Sequence, residues 1–411
     1  MDWIFSSILI PALVIGVLVF VHELGHFLLA KFCGVGVLKF SVGFGPAIFR
    51  FTHKETQYQL SIIPLGGFVR MVGDIPDAIT GPQETDDAVR GIESKDAKAK
   101  PVSKEVEEVL SNKNYWFIEK SLWQRSAIVF AGPLFNAIFA VFCVMLAVNM
   151  YGQDRLLEEA RLGEVMEGSP AEAAGLKVGD LVTSMNGAKI ETWEALAKAI
   201  HSGKGGPVNL LIDRGGEQKN LVIVPEEQEF TSDDGKNVKS FLIGIKPTFE
   251  SISPTFIDSI GIGIHWTYAV SLRTYEGLWG MFVGEVSPKD LAGPLFIFDA
   301  ASKQAKKGFE NILYFMAILS VSLCVLNLLP IPILDGGHLL FFFIEALFGP
   351  ISIRKKEFAQ QVGMMMLLGL MVFAVHNDIS REAIPEEKPP SWKKSEVSAV
   401  EGAVAPESEK K

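Results

Sequence analysis

From Trp3 to Val21 no residue carries a charge, and this run limits the fold more than any other feature of the chain. It overlaps a largely apolar block, Ile4 to Ala30, long enough for a helix to cross a bilayer, which takes about 20 apolar residues. Three further blocks, 127–150, 312–333 and 362–375, are nearly free of charge. The last is short, which predicts a helix beginning upstream, near Phe358. In hydrocarbon every backbone N–H and C=O must find its partner inside the protein, so such blocks fold as helices. The expectation is a polytopic α-helical membrane protein with about four transmembrane helices. Composition fits, because a mean hydropathy of +0.27 beside 21% charged residues requires apolar residues to be segregated into blocks.

The net charge of −10 argues against a nucleic-acid partner, which needs clustered Lys and Arg to neutralise phosphates. Cys33, Cys143 and Cys324 lie in or beside predicted spans with no Cys-x-x-Cys pair. They read as small buried hydrophobes, not as a disulfide framework or a thiolate metal site. The N-terminal block lacks a basic flank and a small-residue cleavage site, and reads as a retained helix.

Lys and Arg in short segments beside the spans set orientation. Lys31 and Lys39 follow the first span (1–30), Lys120 and Arg125 precede the second (127–150), and Arg354, Lys355 and Lys356 separate the third from the fourth. Residues 31–126 and 334–358 are therefore expected in the cytoplasm, and 151–309 outside. Between Val37 and Val72, period-two apolar runs broken by Gly and Pro predict hairpin strands at the membrane face. Residues 74–112, rich in Asp, Glu, Lys, Ala and Pro, predict a solvated insert, and 377–411 a disordered tail.

The outer segment predicts a small β-rich domain over 151–230. Strands are expected at 162–166, 181–185, 208–213 and 221–224, with a hairpin turn at Asn186-Gly187. Ser169 caps and Pro170 begins a short helix, and a second helix places Trp193, Leu196, Ala197 and Ile200 on one face. Residues 231–309 read as a linker with an amphipathic segment, followed by a third span (310–334) and then a loop and last span (335–376).

The first span ends in His22-Glu23-Leu24-Gly25-His26. Four residues apart on a helix, the two imidazoles leave one face and can reach one Zn²⁺, with Glu23 placed to handle a proton of its water. Such strings arise by chance in soluble chains, but an ionisable cluster inside a membrane is costly and points to function. A catalytic zinc takes three protein ligands and keeps an open position. Asp335 fits as the third, at the end of Asn327-Leu328-Leu329-Pro330-Ile331-Pro332-Ile333-Leu334-Asp335, with His338 as a rival. His53 lies in a polar turn, and His265 and His376 fall on the opposite side. Asn136, in the second span, reads as a helix-to-helix hydrogen bond.

His-Glu-Leu-Gly-His in a first span, Ala131-Gly132-Pro133-Leu134-Phe135-Asn136 in a second and Asn-x-x-Pro-x-Pro-x-Leu-Asp-Gly in a third together resemble the site-2 protease family of intramembrane zinc metalloproteases, closest to its bacterial regulator of sigma-E group. The outer domain resembles a PDZ module, on Ser169-Pro170-Ala171, Ala174-Gly175-Leu176, Gly179-Asp180 and Asn186-Gly187. The resemblance implies one Zn²⁺ held by His22, His26 and Asp335, with Glu23 as acid/base. It further implies Asn327 as a contact for the substrate backbone, and Leu162, Gly163, Glu164 and Val165 as a peptide-binding loop. Gly43-Phe44-Gly45 and Gly66-Gly67 match the family's membrane-associated β-element.

The implied activity is hydrolysis of peptide bonds in or near transmembrane segments of single-span membrane proteins, such as anti-sigma factors or remnant signal peptides. The implied setting is the bacterial inner membrane, with the PDZ module on the outer side. One departure stands out: residues 226–309 show no second PDZ set, where the family's bacterial members often carry two. The rival readings are a non-catalytic membrane PDZ scaffold and a metal transporter. A transporter needs ionisable groups along a path through several spans, whereas here they converge near one face.

Overall fold

The computed structural model describes residues 9–73, 104–203, 205–231, 237–287 and 292–382, which fall into two compact units. The expected start of the first span at Ile4, residues 74–103 of the insert and 383–411 of the tail lie outside the described residues. The chain begins with α1 (Ile10–Phe32), β1 (Val37–His53), β2 (Thr56–Met71), α2 (Lys104–Ser111) and α3 (Leu122–Tyr151). Next come β3 (Gln153–Leu156), β4 (Leu162–Val165), α4 (Pro170–Ala173), β5 (Leu181–Met185), β6 (Ala188–Lys189) and α5 (Trp193–His201). Six strands follow, β7 (Val208–Arg214), β8 (Glu217–Ile223), β9 (Glu226–Thr231), β10 (Asn237–Leu242), β11 (Ile245–Pro247) and β12 (Phe249–Ile252). The chain closes with α6 (Phe256–Val283), α7 (Pro294–Lys307), α8 (Phe309–Asn327), α9 (Asp335–Phe348) and α10 (Ile353–Glu382).

Among the described residues four helices are long and apolar enough to cross a membrane, α1, α3, α8 and α10. They belong to the first unit. α3 packs on α1 where Gly25, lacking a Cβ, lies against the Ala131 carbonyl. It packs on α8 through Ala140, Val144, Ala317 and Val321, and the Ser320 hydroxyl donates to the Asn136 carbonyl at 2.7 Å. A second cluster, with Ala30, Val37, Ile128 and Phe342, ties α1, β1, α3 and α9 together.

The helix limits differ from the sequence reading in four places. α8 stops at Asn327 rather than 333, because Pro330 and Pro332 have no N–H to continue it. The chain turns there through Ile331 N–H to Leu329 O and Leu334 N–H to Ile331 O. α9 occupies a stretch read as loop, since Leu339 to Ile344 form an apolar run whose period is ambiguous. α10 begins at Ile353 instead of near Phe358 and continues past Asn377. α6, 28 residues long, replaces part of the expected linker, and its Ile262, Trp266 and Val270 pack on the α3–α8 cluster.

β1 and β2 form an antiparallel pair from His53 opposite Thr56 to Val37 opposite Met71, with repeated register shifts. These shifts let Lys39–Val42 pair with both Gln57–Leu60 and Gly67–Arg70. Ile48, Phe49, Phe51, Leu60 and Ile62 are exposed on this element. Lys31, in the last turn of α1, binds Glu55 and donates to Thr56 Oγ1 at 2.9 Å, and Thr56 Oγ1 donates to the Val37 carbonyl at 2.7 Å. Burial alone raises the Glu55 carboxyl, but the Lys31 ammonium overcomes it and holds the group below the usual carboxylate range.

The second unit is β-rich, with a four-stranded sheet of order β6-β5-β7-β8 and the two-stranded pairs β4–β11, β3–β12 and β9–β10. Its core gathers Leu162, Trp193, Leu196, Leu210, Ile212 and Ile245. Ser169 caps α4 by accepting the Glu172 N–H, while the Glu172 carboxylate reaches back to the Gly168 N–H at 2.6 Å. β8 begins at Glu217, earlier than the expected Leu221, because Gly215 and Gly216 adopt φ of 64° and 90° and close a tight hairpin. Asp180 is 1% exposed in its side chain, and Arg214 forks onto it with two bonds of 2.7 Å. Burial alone raises the Asp180 carboxyl, but the Arg214 fork and the Lys177 amide hold it below the usual range.

Candidate metal centre

His22 and His26 sit one turn apart near the end of α1, and α9 brings Asp335 to them as its first residue. What fixes α9 in place is visible further along it. Phe342 enters the cluster with Ala30 and Ile128, and Glu345 accepts from Arg125 of α3 at 2.9 Å and pairs with Lys356 of α10 at 3.4 Å. The glutamate thus locks α9 to two of the helices long and apolar enough to cross a membrane.

The three side chains converge. His22 Nε2 lies 3.2 Å from His26 Nε2, and Asp335 Oδ2 lies 3.2 Å from the first and 3.5 Å from the second. Asp335 Oδ2 is buried and has no hydrogen-bond partner. His26 Nδ1 is 2.9 Å from the Ile128 carbonyl, which can only accept, so Nδ1 carries the proton and the Nε2 lone pair points at the other two donor atoms. That carbonyl belongs to the turn that Pro133 loosens, since Pro133 has no N–H for the Val129 carbonyl and its ring crowds it.

Lone pairs facing one another at such distances repel unless a cation lies between them. A tetrahedral zinc with bonds of about 2.05 Å sets its ligand atoms about 3.3 Å apart. The observed triangle of 3.2, 3.2 and 3.5 Å matches that edge, so the donor set fits the ion.

Two glycines make the space. A Cβ on Gly132 of α3 would lie 2.5 Å from His26 Cε1 and 2.8 Å from His22 Cε1. A Cβ on Gly67 of β2 would lie 3.0 Å from Glu23 Cγ and 2.9 Å from Val19 Cγ1, so β2 runs directly against the glutamate of the motif. Asn136, one turn beyond Gly132, is fully buried, and its amide nitrogen is 3.2 Å from His22 Nδ1. The expected helix-to-helix bond therefore ends on an imidazole.

Among the described residues, the one cluster of at least three His, Cys, Asp and Glu side chains able to hold a metal is His22, His26 and Asp335. His338, the rival, lies in the first turn of α9 and lines a cleft with Arg125, Phe342 and Gln360 instead. His53, His265 and His376 are likewise outside the cluster. Asn327 is the half-buried last residue of α8. Leu162 to Val165 do not form a loop. They are strand β4, paired with β11, with Leu162 in the core and Glu164 bonded to Lys246 at 2.7 Å. The sequence places Gly132 in the Ala131–Asn136 motif and Gly67 in the β-element without saying which side chains each would meet, and it gives no signal at all for the Ile128 carbonyl.

Comparison with known proteins shows the family. The model of peptidase family M50 matches residues 10–370. The protein Atu1380 of Agrobacterium fabrum is 36% identical over 375 residues, covering 90% of this chain and 94% of its own. The zinc metalloprotease RasP of Oceanobacillus iheyensis is 32% identical over 419 residues, covering 90% and 97%. The protein of the same name from Geobacillus kaustophilus is 32% identical over 425 residues, covering 92% and 98%. With a family match running through both histidines, Glu23 and Asp335, the chain belongs to peptidase family M50, the site-2 protease family, and is a metalloprotease of that family.

Proposed function

We propose that His22, His26 and Asp335 hold a single zinc ion and that Glu23 is the acid/base of peptide-bond hydrolysis within the bilayer. The triangle of donor atoms around an unpartnered, buried carboxylate oxygen carries this reading. A zinc ion, when bound, supplies Lewis acidity that polarises a peptide carbonyl and acidifies a water. Glu23, beside His22 on the same turn, takes the proton of that water and passes it to the leaving nitrogen. Asn327 contacts the substrate backbone ahead of the Asp335 turn. A transmembrane substrate is helical and must be extended before attack, and the β1–β2 element, which passes Glu23 at Gly67, supports that step by pairing with the extended segment.

The substrate class is single-span membrane proteins, among them anti-sigma factors or remnant signal peptides, in the bacterial inner membrane. The second unit acts as one PDZ module on the outer side, over about the expected 151–230 and with β11 and β12 added. The unit gates cleavage by admitting substrates whose outer segment has been shortened, and β4 within it is held by pairing with β11.

A single-span reporter with a shortened outer segment, incubated with the full chain, tests the proposal. Glu23→Gln is expected to keep the fold and the zinc content of the wild type and to lower cleavage about 10²- to 10⁴-fold. Cleavage by this variant at the wild-type rate overturns the acid/base assignment, and unchanged zinc content in Asp335→Ala overturns the ligand set.

A further inference from the structure

We propose that Asn136 is a positioning residue that sets the tautomer of His22. The inference deepens the zinc reading and rests on it. For His22 to offer a lone pair at Nε2, its proton must sit on Nδ1, and that proton needs an acceptor. His26 meets the same need through the Ile128 carbonyl at 2.9 Å. At His22 the group within reach of Nδ1 is the Asn136 carboxamide, 3.2 Å away and fully buried.

The carboxamide is ambivalent. As placed, its nitrogen faces Nδ1, and its oxygen is buried without a partner. A half-turn of the last side-chain bond exchanges the two ends and lets the oxygen accept Nδ1–H. Asn136 thus donates to Nδ1 when His22 carries its proton on Nε2, and accepts from Nδ1 when Nε2 faces a cation. The backbone is held independently, since the Ser320 hydroxyl donates to the Asn136 carbonyl at 2.7 Å. The side chain can therefore turn while the helix stays in register.

Outer partners of this kind typically change metal affinity 10- to 100-fold. The test is zinc affinity of the purified full-length protein in detergent, measured by chelator competition, together with the visible spectrum of the cobalt-substituted form. Asn136→Leu, apolar and of the same branched shape, is expected to weaken zinc at least tenfold and to alter the cobalt spectrum. Asn136→Asp, whose carboxylate accepts Nδ1–H, is expected to stay within threefold of the wild type. Ser320→Ala, which loosens the turn but leaves the carboxamide, is expected to leave zinc affinity unchanged. Wild-type affinity in Asn136→Leu overturns the proposal. If that variant does not fold, a tenfold loss in Asn136→Asp overturns it alone. His22→Ala separates the two levels: loss of zinc there with none in Asn136→Leu sinks only this inference, whereas retained zinc in His22→Ala sinks the ligand reading itself.

Discussion

Gly132→Ala adds one methyl group where the structure leaves no room. The new Cβ would stand 2.5 Å from His26 Cε1 and 2.8 Å from His22 Cε1, about 0.9 and 0.6 Å inside ordinary contact of about 3.4 Å. Either α1 and α3 separate or both rings retreat. Metal–donor distances tolerate only about 0.2 Å of error, so a displacement several times larger removes at least one donor from useful range. The expected result is a zinc dissociation constant raised about 100-fold, near 2.7 kcal/mol, with about 1 to 3 kcal/mol of fold stability lost to overpacking. Chelator competition reports the first quantity and thermal unfolding of the metal-free protein the second. Leu134→Ala, at a position 40% exposed on the same helix, is the control and should change neither. Wild-type zinc affinity and full cleavage in Gly132→Ala would refute the claim that this glycine exists to seat the imidazoles.

Chelation should abolish cleavage of the shortened reporter and added zinc should restore it, with activity surviving exhaustive chelation as the contrary result. Ile62→Pro removes a β2 amide and is expected to slow cleavage at least tenfold while zinc content stays at the wild-type level; an unchanged rate in folded protein argues against strand pairing with substrate. Asp180 has a depressed carboxyl, so the stability it contributes is present above about pH 4 and drains away as pH falls through that range. Hydrogen exchange of β5 and β7 amides in the full chain should show this acid loss in the wild type and a lower, flatter profile in Asp180→Asn; superimposable profiles would contradict it.

The parts of the fold legible in the sequence are those written in local pattern. Charge-free runs located the four candidate spans, and His22, Glu23 and His26 declared themselves by spacing on one helix face. Asp335 was findable because Pro330 and Pro332 break an apolar run just before it. What stayed hidden depends on partners distant in sequence. β4 reads locally as an independent strand, and only Ile245–Pro247, far along the chain, pairs with it. α9 was lost because an apolar run flanked by glycines fits loop, strand and helix alike. The Ile128 carbonyl could not be read at all, since a backbone acceptor has no letter of its own. Asn136 had a letter but no periodic context naming the ring it would meet.

The distribution of the three donors along the chain has a consequence for biogenesis. His22 and His26 belong to the first helix, whereas Asp335 follows only after α8 and its double-proline turn. A ribosome-bound chain therefore completes the strands of its second unit while it carries the two imidazoles and Glu23 but not yet Asp335. On the proposed ligand set, full metal affinity requires that α9 has been made and has docked on Arg125. On that ligand set the site is therefore completed late in synthesis, after strands β3 to β12 of the second unit have been made.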